Sequence, residues 1–390
     1  MRVLLSCLQS RKRHALPAYD FWRPYFVQGC QDARIEYIEV PGLDWAEGLL
    51  YPPGNELGAW RSRTWETVLA FARREHSRRP IDFFLGYLYP NQIEPAAISE
   101  IQRLGIPCVN FFCDNVREFR RVPDEYYPFA LHWVPEFEAL PMYRRAGLSH
   151  VHAPMPCWVP QEFRTIAAVE TEPPTFIGSS DILRRDLLGR ALQAGASFVV
   201  YGPGWTADLE PGATTQKSVR STVSILVNQW SIVRTHGVAA LLHKLENYLR
   251  PLSSRPLHVD SVCSFLPPEE YIRITREAIV TIGVNRVPTM RTSNRRPLTY
   301  SRLRDLEAPM LGACYLTEWT AGLGELYEIG TEIETYKTPA ELAAKVEELR
   351  KDRARRRALR ERGQRRALYD HSVARSLKRI AERLTGKRAI

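Results

Sequence analysis

Short apolar runs alternate with helical periodicities along most of the chain, and this alternation limits the fold more than any other feature. Val3-Leu4-Leu5 predicts a first buried strand, Ile35 to Val40 a second, Ile81-Asp-Phe-Phe-Leu-Gly-Tyr-Leu a third and Pro107-Cys-Val-Asn-Phe-Phe-Cys a fourth. Between them Trp60 to Arg74 places Trp65, Val68, Leu69 and Ala72 at helical spacing, and Pro95 to Leu104 reads as a further helix. Leu131-His-Trp-Val and His150-Val-His-Ala continue the series around a helix from Glu138 to Ala146, which Gly147 closes. Strands that short and apolar, each followed by a helix, predict a parallel, doubly wound α/β sheet.

Pro154, Pro156, Pro160 and Glu170-Thr-Glu-Pro-Pro interrupt the series, and a second alternation follows. It runs through strand Thr175-Phe-Ile, the step Gly178-Ser-Ser-Asp into a helix, strand Phe198-Val-Val-Tyr, a helix opened by Pro267-Pro-Glu-Glu and strand Ile279 to Asn285. From Thr214 to Val262 the pattern lapses; Val219 to Leu249 reads as one or two helices packed on the second half, a lid or membrane-facing element being the alternative. At 390 residues the chain exceeds what one core usually serves, so the break divides two domains.

The net charge of +10 is a tail property. Lys345 to Ile390 holds 17 Lys and Arg against 6 Asp and Glu, which leaves the rest near neutral. No aromatic is interleaved in the densest part, Arg350 to Arg366, which argues against single-stranded nucleic acid. That part is expected to be a solvated helix, with weak contact to an anionic membrane as its other use. The distal helix, with Val373, Leu377, Ile380 and Leu384 three and four apart, is expected to be structural. No apolar run approaches the roughly 20 residues that span a bilayer. The 7 cysteines are odd in number and lack a Cys-x-x-Cys, and Cys7, Cys108, Cys113 and Cys314 fall in strand-like settings. A cytoplasmic protein, at most peripheral to the inner face of the membrane, is the expectation.

The stretch from Tyr300 to Thr338 carries the chemistry. Leu303, Leu306 and Met310 share a helical face, Gly312 and Ala313 permit a tight exit, and Ala313 to Leu316 suits a parallel strand. Arg304 and Glu307 then lie on a helix beside the sheet's open end. A carboxylate can accept both hydroxyl donors of a vicinal diol; a solvated or salt-bridged helix residue is the plainer alternative.

This stretch resembles the signature of CgeB-like glycosyltransferases, a branch of the GT-B glycosyltransferases, most closely from Thr175 to Leu384. The resemblance implies two Rossmann-like α/β domains facing a cleft: an acceptor-side domain over 1–160, and a nucleotide-sugar-binding domain over 161–370 with a helical insertion at about 214–262. Residues 371–390 would return as a helix to the first domain. It also implies a nucleoside-diphosphate sugar as donor substrate and no cofactor, with Glu307 on the ribose. Where related retaining enzymes carry a second Glu, this chain has Thr299.

A diphosphate leaving group must be neutralised. No Asp-x-Asp occurs, so no metal is expected and the charge falls to arginines. Gly178, with Arg184 or Arg185 one turn into the helix, matches the family's Gly then Arg pattern and is expected to offer free backbone N–H groups, a helix cap with solvated arginines being the plainer alternative. Arg286 and Arg304 would complete the clamp, unless they form salt bridges. Asp114, at the end of a buried strand, is a candidate general base or a helix cap, and His14, after the first strand, is a second candidate base. The expected activity is metal-independent transfer of a sugar to a cell-envelope, polysaccharide or natural-product acceptor. A non-catalytic binding or coat-associated protein and a sugar-nucleotide epimerase share the same donor site.

Overall fold

The computed structural model describes residues 1–7, 9–10, 19–205, 242–243, 246–247, 249, 262–263, 266–289 and 292–386. His14 and almost all of the expected insertion at 214–262 lie outside them. The chain divides into two compact units, Met1–Trp158 with Tyr369–Ile390, and Val159–Leu368.

The first unit is built on six parallel strands: β1 (Arg2–Cys7), β2 (Glu36–Ile38), β3 (Phe83–Tyr87), β4 (Cys108–Phe111), β5 (Leu131–Val134) and β6 (His150–His152), in the order β2-β1-β3-β4-β5-β6. Helices α1 (Tyr19–Asp32), α2 (Asn55–Arg78), α3 (Pro95–Arg103), α4 (Asn115–Glu118) and α5 (Leu140–Arg145) connect them. The apolar stripe of α2 begins at Leu57 and Trp60, so the helix is longer than the 60–74 periodicity predicted. One cross-sheet row, Cys7-Tyr87-Phe111-Trp133, meets Phe26 of α1 edge-on at Phe111 and Trp133, 5.6 and 5.9 Å between ring centroids.

The second unit repeats the principle with β7 (Thr175–Ile177), β8 (Val199–Tyr201), β9 (Val262–Cys263) and β10 (Thr281–Gly283), then β13 (Tyr315–Glu318) and β14 (Glu334–Tyr336), all parallel, in the order β14-β13-β10-β7-β8-β9. A separate antiparallel pair, β11 (Arg286–Val287) and β12 (Leu298–Thr299), follows β10. The helices are α6 (Ile182–Gln193), α7 (Pro268–Glu277), α8 (Arg304–Met310), α9 (Leu323–Leu326), α10 (Pro339–Lys351), α11 (Arg353–Asp370) and α12 (Val373–Thr385), the last in the first unit. Phe176, Val200, Ile282 and Leu316 form the middle of the second core, closed by Leu187 and Leu188 of α6 and Leu342 and Val346 of α10. Strand order reverses between β7 and β10, and in such sheets the carboxyl edge at the reversal is where ligands bind.

Two expectations about the tail meet different outcomes. Val373, Leu377 and Ile380 of α12 are buried in the first unit, where Val373 fills the space beside Gly29 of α1 so tightly that a Cβ there would collide with it. The segment from Arg353 to Arg366 does not simply face solvent. Arg356, Arg360 and Gln364, four apart, are buried. Arg360 donates to the carbonyls of Arg276, Ala278 and Gly312, and Arg356 to those of Leu349 and Arg350. Both meet Glu170, at 3.2 Å from Arg360 and 2.6 Å from Arg356. The helix needs these arginines because carbonyls preceding β10 and β13 would otherwise be buried unpaired. Among the described residues no helix is long and apolar enough to cross a membrane.

Candidate functional site

Four segments converge at the carboxyl edge of the second sheet. The first is the β7-to-α6 step. Asp181 is the N-cap of α6 and accepts from the N–H groups of Leu183 and Arg184, both at 2.9 Å. The Gly178 N–H donates to the Tyr201 carbonyl at 2.8 Å and that of Ser180 to Pro203 at 2.9 Å. Four N–H groups of the expected supply are therefore already engaged, two by the loop after β8 and two by the helix's own cap. Gly202, at φ 128°, allows that close approach, since a Cβ there would run into the Gly178 carbonyl.

What the step presents is cationic. Arg184 lies 5.9 Å over the Phe176 ring, donates to the Ser179 carbonyl at 2.8 Å and meets Asp181 at 3.3 Å. Burial, and then the like charges of Arg302 and Arg304, pull its guanidinium below the usual arginine range, against the opposing pull of Asp181. Arg185 turns back on the loop after β8, to the Ser180 hydroxyl at 2.5 Å and the Gly204 carbonyl, over the Trp205 ring.

The second segment is the turn into α8. Arg302 stacks on Tyr300 and donates to its hydroxyl at 3.1 Å. Arg304 lies 4.8 Å over the ring of Tyr271, from the third segment, α7, and the Tyr271 hydroxyl donates to Glu307. Arg304 and Glu307, three residues apart on one helix face, thus share one tyrosine.

The fourth segment is the end of β10. Arg286, expected in the clamp, opens β11 instead of ending the strand, and its guanidinium is committed to Glu318 at 2.9 and 2.5 Å. The N–H groups of Asn285 and Arg286 both donate to the other Glu318 oxygen at 3.1 Å. Thr299 pairs with Arg286 across the β11–β12 ladder.

In the first unit, Asp114 follows β4 with φ 64° and ψ 22°, a left-handed conformation uncommon for a side-chain-bearing residue. It stands at the N-cap of α4 but makes no capping hydrogen bond with its side chain, and Arg117 lies at 3.9 Å. The turn is held from behind: Glu136 accepts from the backbone N–H and the side-chain amide of Asn115, both at 2.7 Å, and the Tyr143 hydroxyl donates to Asn115 Oδ1 at 2.9 Å. Burial pushes the Glu136 carboxyl up to about 8, the Asn115 donors pulling the other way.

Sequence reasoning missed Arg302, Tyr271, Glu318 and Asp305. Arg302 could have been found, as it shares a turn with Arg304; Tyr271 and Glu318 come from distant segments. Among the described residues no three His, Cys, Asp or Glu side chains are grouped to hold a metal ion.

Residues 184–382, half of the chain, match the model of a family described as glycosyl transferase-like. The chain belongs to that family. No curated protein sequence matches it. Among solved structures, HepE of Anabaena in complex with UDP and glucose superposes with a TM-score of 0.54 at 11% identity, covering 99% of this chain and 100% of that one. Sucrose-phosphate synthase of Thermosynechococcus elongatus gives 0.53 at 12% identity, with 99% of each chain covered. AviGT4, a glycosyltransferase involved in avilamycin A biosynthesis, gives 0.54 at 14%, covering 99% of this chain and 98% of that one. At these identities the likeness concerns the fold, which is the two-sheet GT-B architecture of glycosyltransferases.

Proposed function

We propose that this family member transfers a sugar from a nucleoside diphosphate to an acceptor hydroxyl without a metal ion. The observation that carries the reading is the gathering of Arg184, Arg302 and Arg304 beside Glu307 at the strand-order reversal of the second sheet. Crowded like charges raise the energy of the unliganded state, and a diphosphate relieves that cost. Their partners include aromatic faces, the Ser179 carbonyl, the Tyr300 hydroxyl and Asp181. HepE binds UDP-glucose at the same fold, which supports a uridine nucleotide as the first donor to try.

In this reading Arg184, Arg302 and Arg304 take the diphosphate and stabilise the negative charge that builds on it as the glycosidic bond breaks. Gly178 and Arg185 shape the loop beside them. Glu307, steered by Tyr271, accepts the ribose hydroxyls. Arg286 acts through Glu318, anchoring the end of β10. Asp114 accepts the acceptor's proton, its left-handed backbone setting the carboxylate at the carboxyl edge of β4; His14 is the other candidate base. The absence of Asp-x-Asp supports metal independence, and the Tyr300–Thr338 signature supports a CgeB-like subtype acting on a cell-envelope, polysaccharide or natural-product acceptor in the cytoplasm.

A donor-binding protein without turnover is favoured by one observation, Thr299 in place of the second Glu. Thermal shift against a panel of nucleoside diphosphates, with and without chelator, tests the main reading. A ligand at 100 times its dissociation constant adds about 2.7 kcal/mol of stability. Stabilisation unaffected by chelator, followed by release of UDP from UDP-glucose, is the expected result. Stabilisation without any release would favour the binding protein, and stabilisation that requires Mg²⁺ or Mn²⁺ would refute metal independence.

A further inference from the structure

Asp305, absent from any role so far, is completely buried one residue from Arg304. One of its carboxylate oxygens accepts from the Tyr315 hydroxyl at 2.8 Å, the Thr317 hydroxyl at 3.0 Å and the Asn285 amide at 3.3 Å; the other accepts the backbone N–H of Arg302 at 2.8 Å. The Tyr327 hydroxyl donates to its carbonyl at 2.7 Å. The last carboxylate bond reaches back three residues and fixes the backbone of the turn that carries Arg302 and Arg304.

Burying a carboxylate is expensive, and burial does push this one above the usual aspartate range despite its four donors. An asparagine would avoid the charge but has one acceptor oxygen, too few lone pairs for these four donors. The strand beneath is adapted as well: a Cβ on Gly283 of β10 would run into the Tyr315 and Thr317 hydroxyls. Asp305 thus ties the end of β10, through Asn285, and strand β13 to the turn before α8.

We infer that Asp305 is a positioning residue for the diphosphate end of the donor, holding the Tyr300–Arg304 turn so that Arg302 and Arg304 stay beside Arg184. This rests on the donor site proposed above. Displacing the turn disperses the charges that meet the phosphates, whereas Glu307, further along α8, stays held by the Tyr271 hydroxyl of α7, so the loss falls on the phosphate end.

The test is to titrate UDP and inorganic pyrophosphate by calorimetry, and uridine by ligand-observed NMR, against the wild-type protein, Asp305→Asn and Thr317→Val. Asp305→Asn should weaken UDP and pyrophosphate about tenfold, or about 1.4 kcal/mol, and leave uridine unchanged. Thr317→Val, nearly the same shape and lacking one donor, should show a smaller loss in the same direction, and it decides the matter if Asp305→Asn does not fold. Wild-type affinities for UDP and pyrophosphate in the folded variants, or an equal loss for uridine, would overturn the inference. If the wild-type protein binds neither UDP nor pyrophosphate, the donor site itself is refuted, and the inference with it.

Discussion

The second sheet has arginines at both ends, and they are held in opposite ways. At the amino end Arg356 and Arg360 are buried, with one carboxylate between them and five carbonyls as acceptors. At the carboxyl end Arg184, Arg302 and Arg304 crowd together over aromatic rings. The first pair is committed to acceptors of its own unit. In the second group Arg302 and Arg304 act as like charges on Arg184, and in the proposed reading a ligand of opposite charge relieves that cost. The count of arginines, all that net charge reports, does not separate the two; their partners do.

The largest expected effect is at the amino end. Arg360→Met should lower the unfolding free energy by about 3–5 kcal/mol, because three buried carbonyls and Glu170 lose a partner. Denaturant titration measures it, and a loss below 1 kcal/mol would break the contrast. At the carboxyl end Arg304→Ala should do the reverse: stability near that of the wild type, with nucleoside-diphosphate affinity reduced by about 1.5–3 kcal/mol. If that variant melts far lower and still binds, the two ends have been assigned the wrong way round.

A pH series sharpens the same point with carboxylates. Burial would raise Glu170, but Arg356 and Arg360 outweigh it and hold the group below the usual glutamate range. Its contribution to stability is therefore present above the unfolded value and lost as pH falls through the lowered one. Burial dominates at Glu136, and its folded value of about 8 exceeds the usual 4.5, so its contribution is full below 4.5 and is lost as pH rises towards 8. Unfolding free energies across pH should show Glu136→Gln flattening the alkaline decline and Glu170→Gln the acid one. Identical profiles for both variants would contradict these environments.

Much of the fold was legible because parallel strands buried on both faces need unbroken apolar runs, which Val3 to Leu5 and Phe83 to Leu85 supply. The tail was misread for a physical reason. Arg356, Arg360 and Gln364 form a stripe at helical spacing, yet a stripe of long polar side chains resembles a wet surface unless its acceptors are known. Those acceptors, Glu170 and the carbonyls before β10 and β13, are distant in sequence. At the site, Glu307 and Arg304 could be picked out because both sit on one short helix, whereas Tyr271 and Glu318 are brought to it by strand order alone. The plainer reading of the Gly178-to-Asp181 step, a helix cap, was legible from Asp181 standing before Ile182, and it accounts for the N–H groups of Leu183 and Arg184.

The smallest effect is expected on the outward face of α11, where Arg353, Arg357, Arg362 and Arg365 are exposed. Reversing these four charges should change stability by no more than about 0.5 kcal/mol. It should reduce any sedimentation with phosphatidylserine vesicles, at about 1 kcal/mol per basic side chain near such a surface. Undiminished sedimentation would remove the membrane role from this face.

The central claim is that the crowded arginines at the carboxyl edge of the second sheet receive a donor diphosphate. A crystal structure of the protein grown with UDP measures this most directly. The account predicts the diphosphate against Arg184, Arg302 and Arg304 and the ribose hydroxyls on Glu307; UDP ordered elsewhere in the molecule, with this edge unchanged, would contradict it.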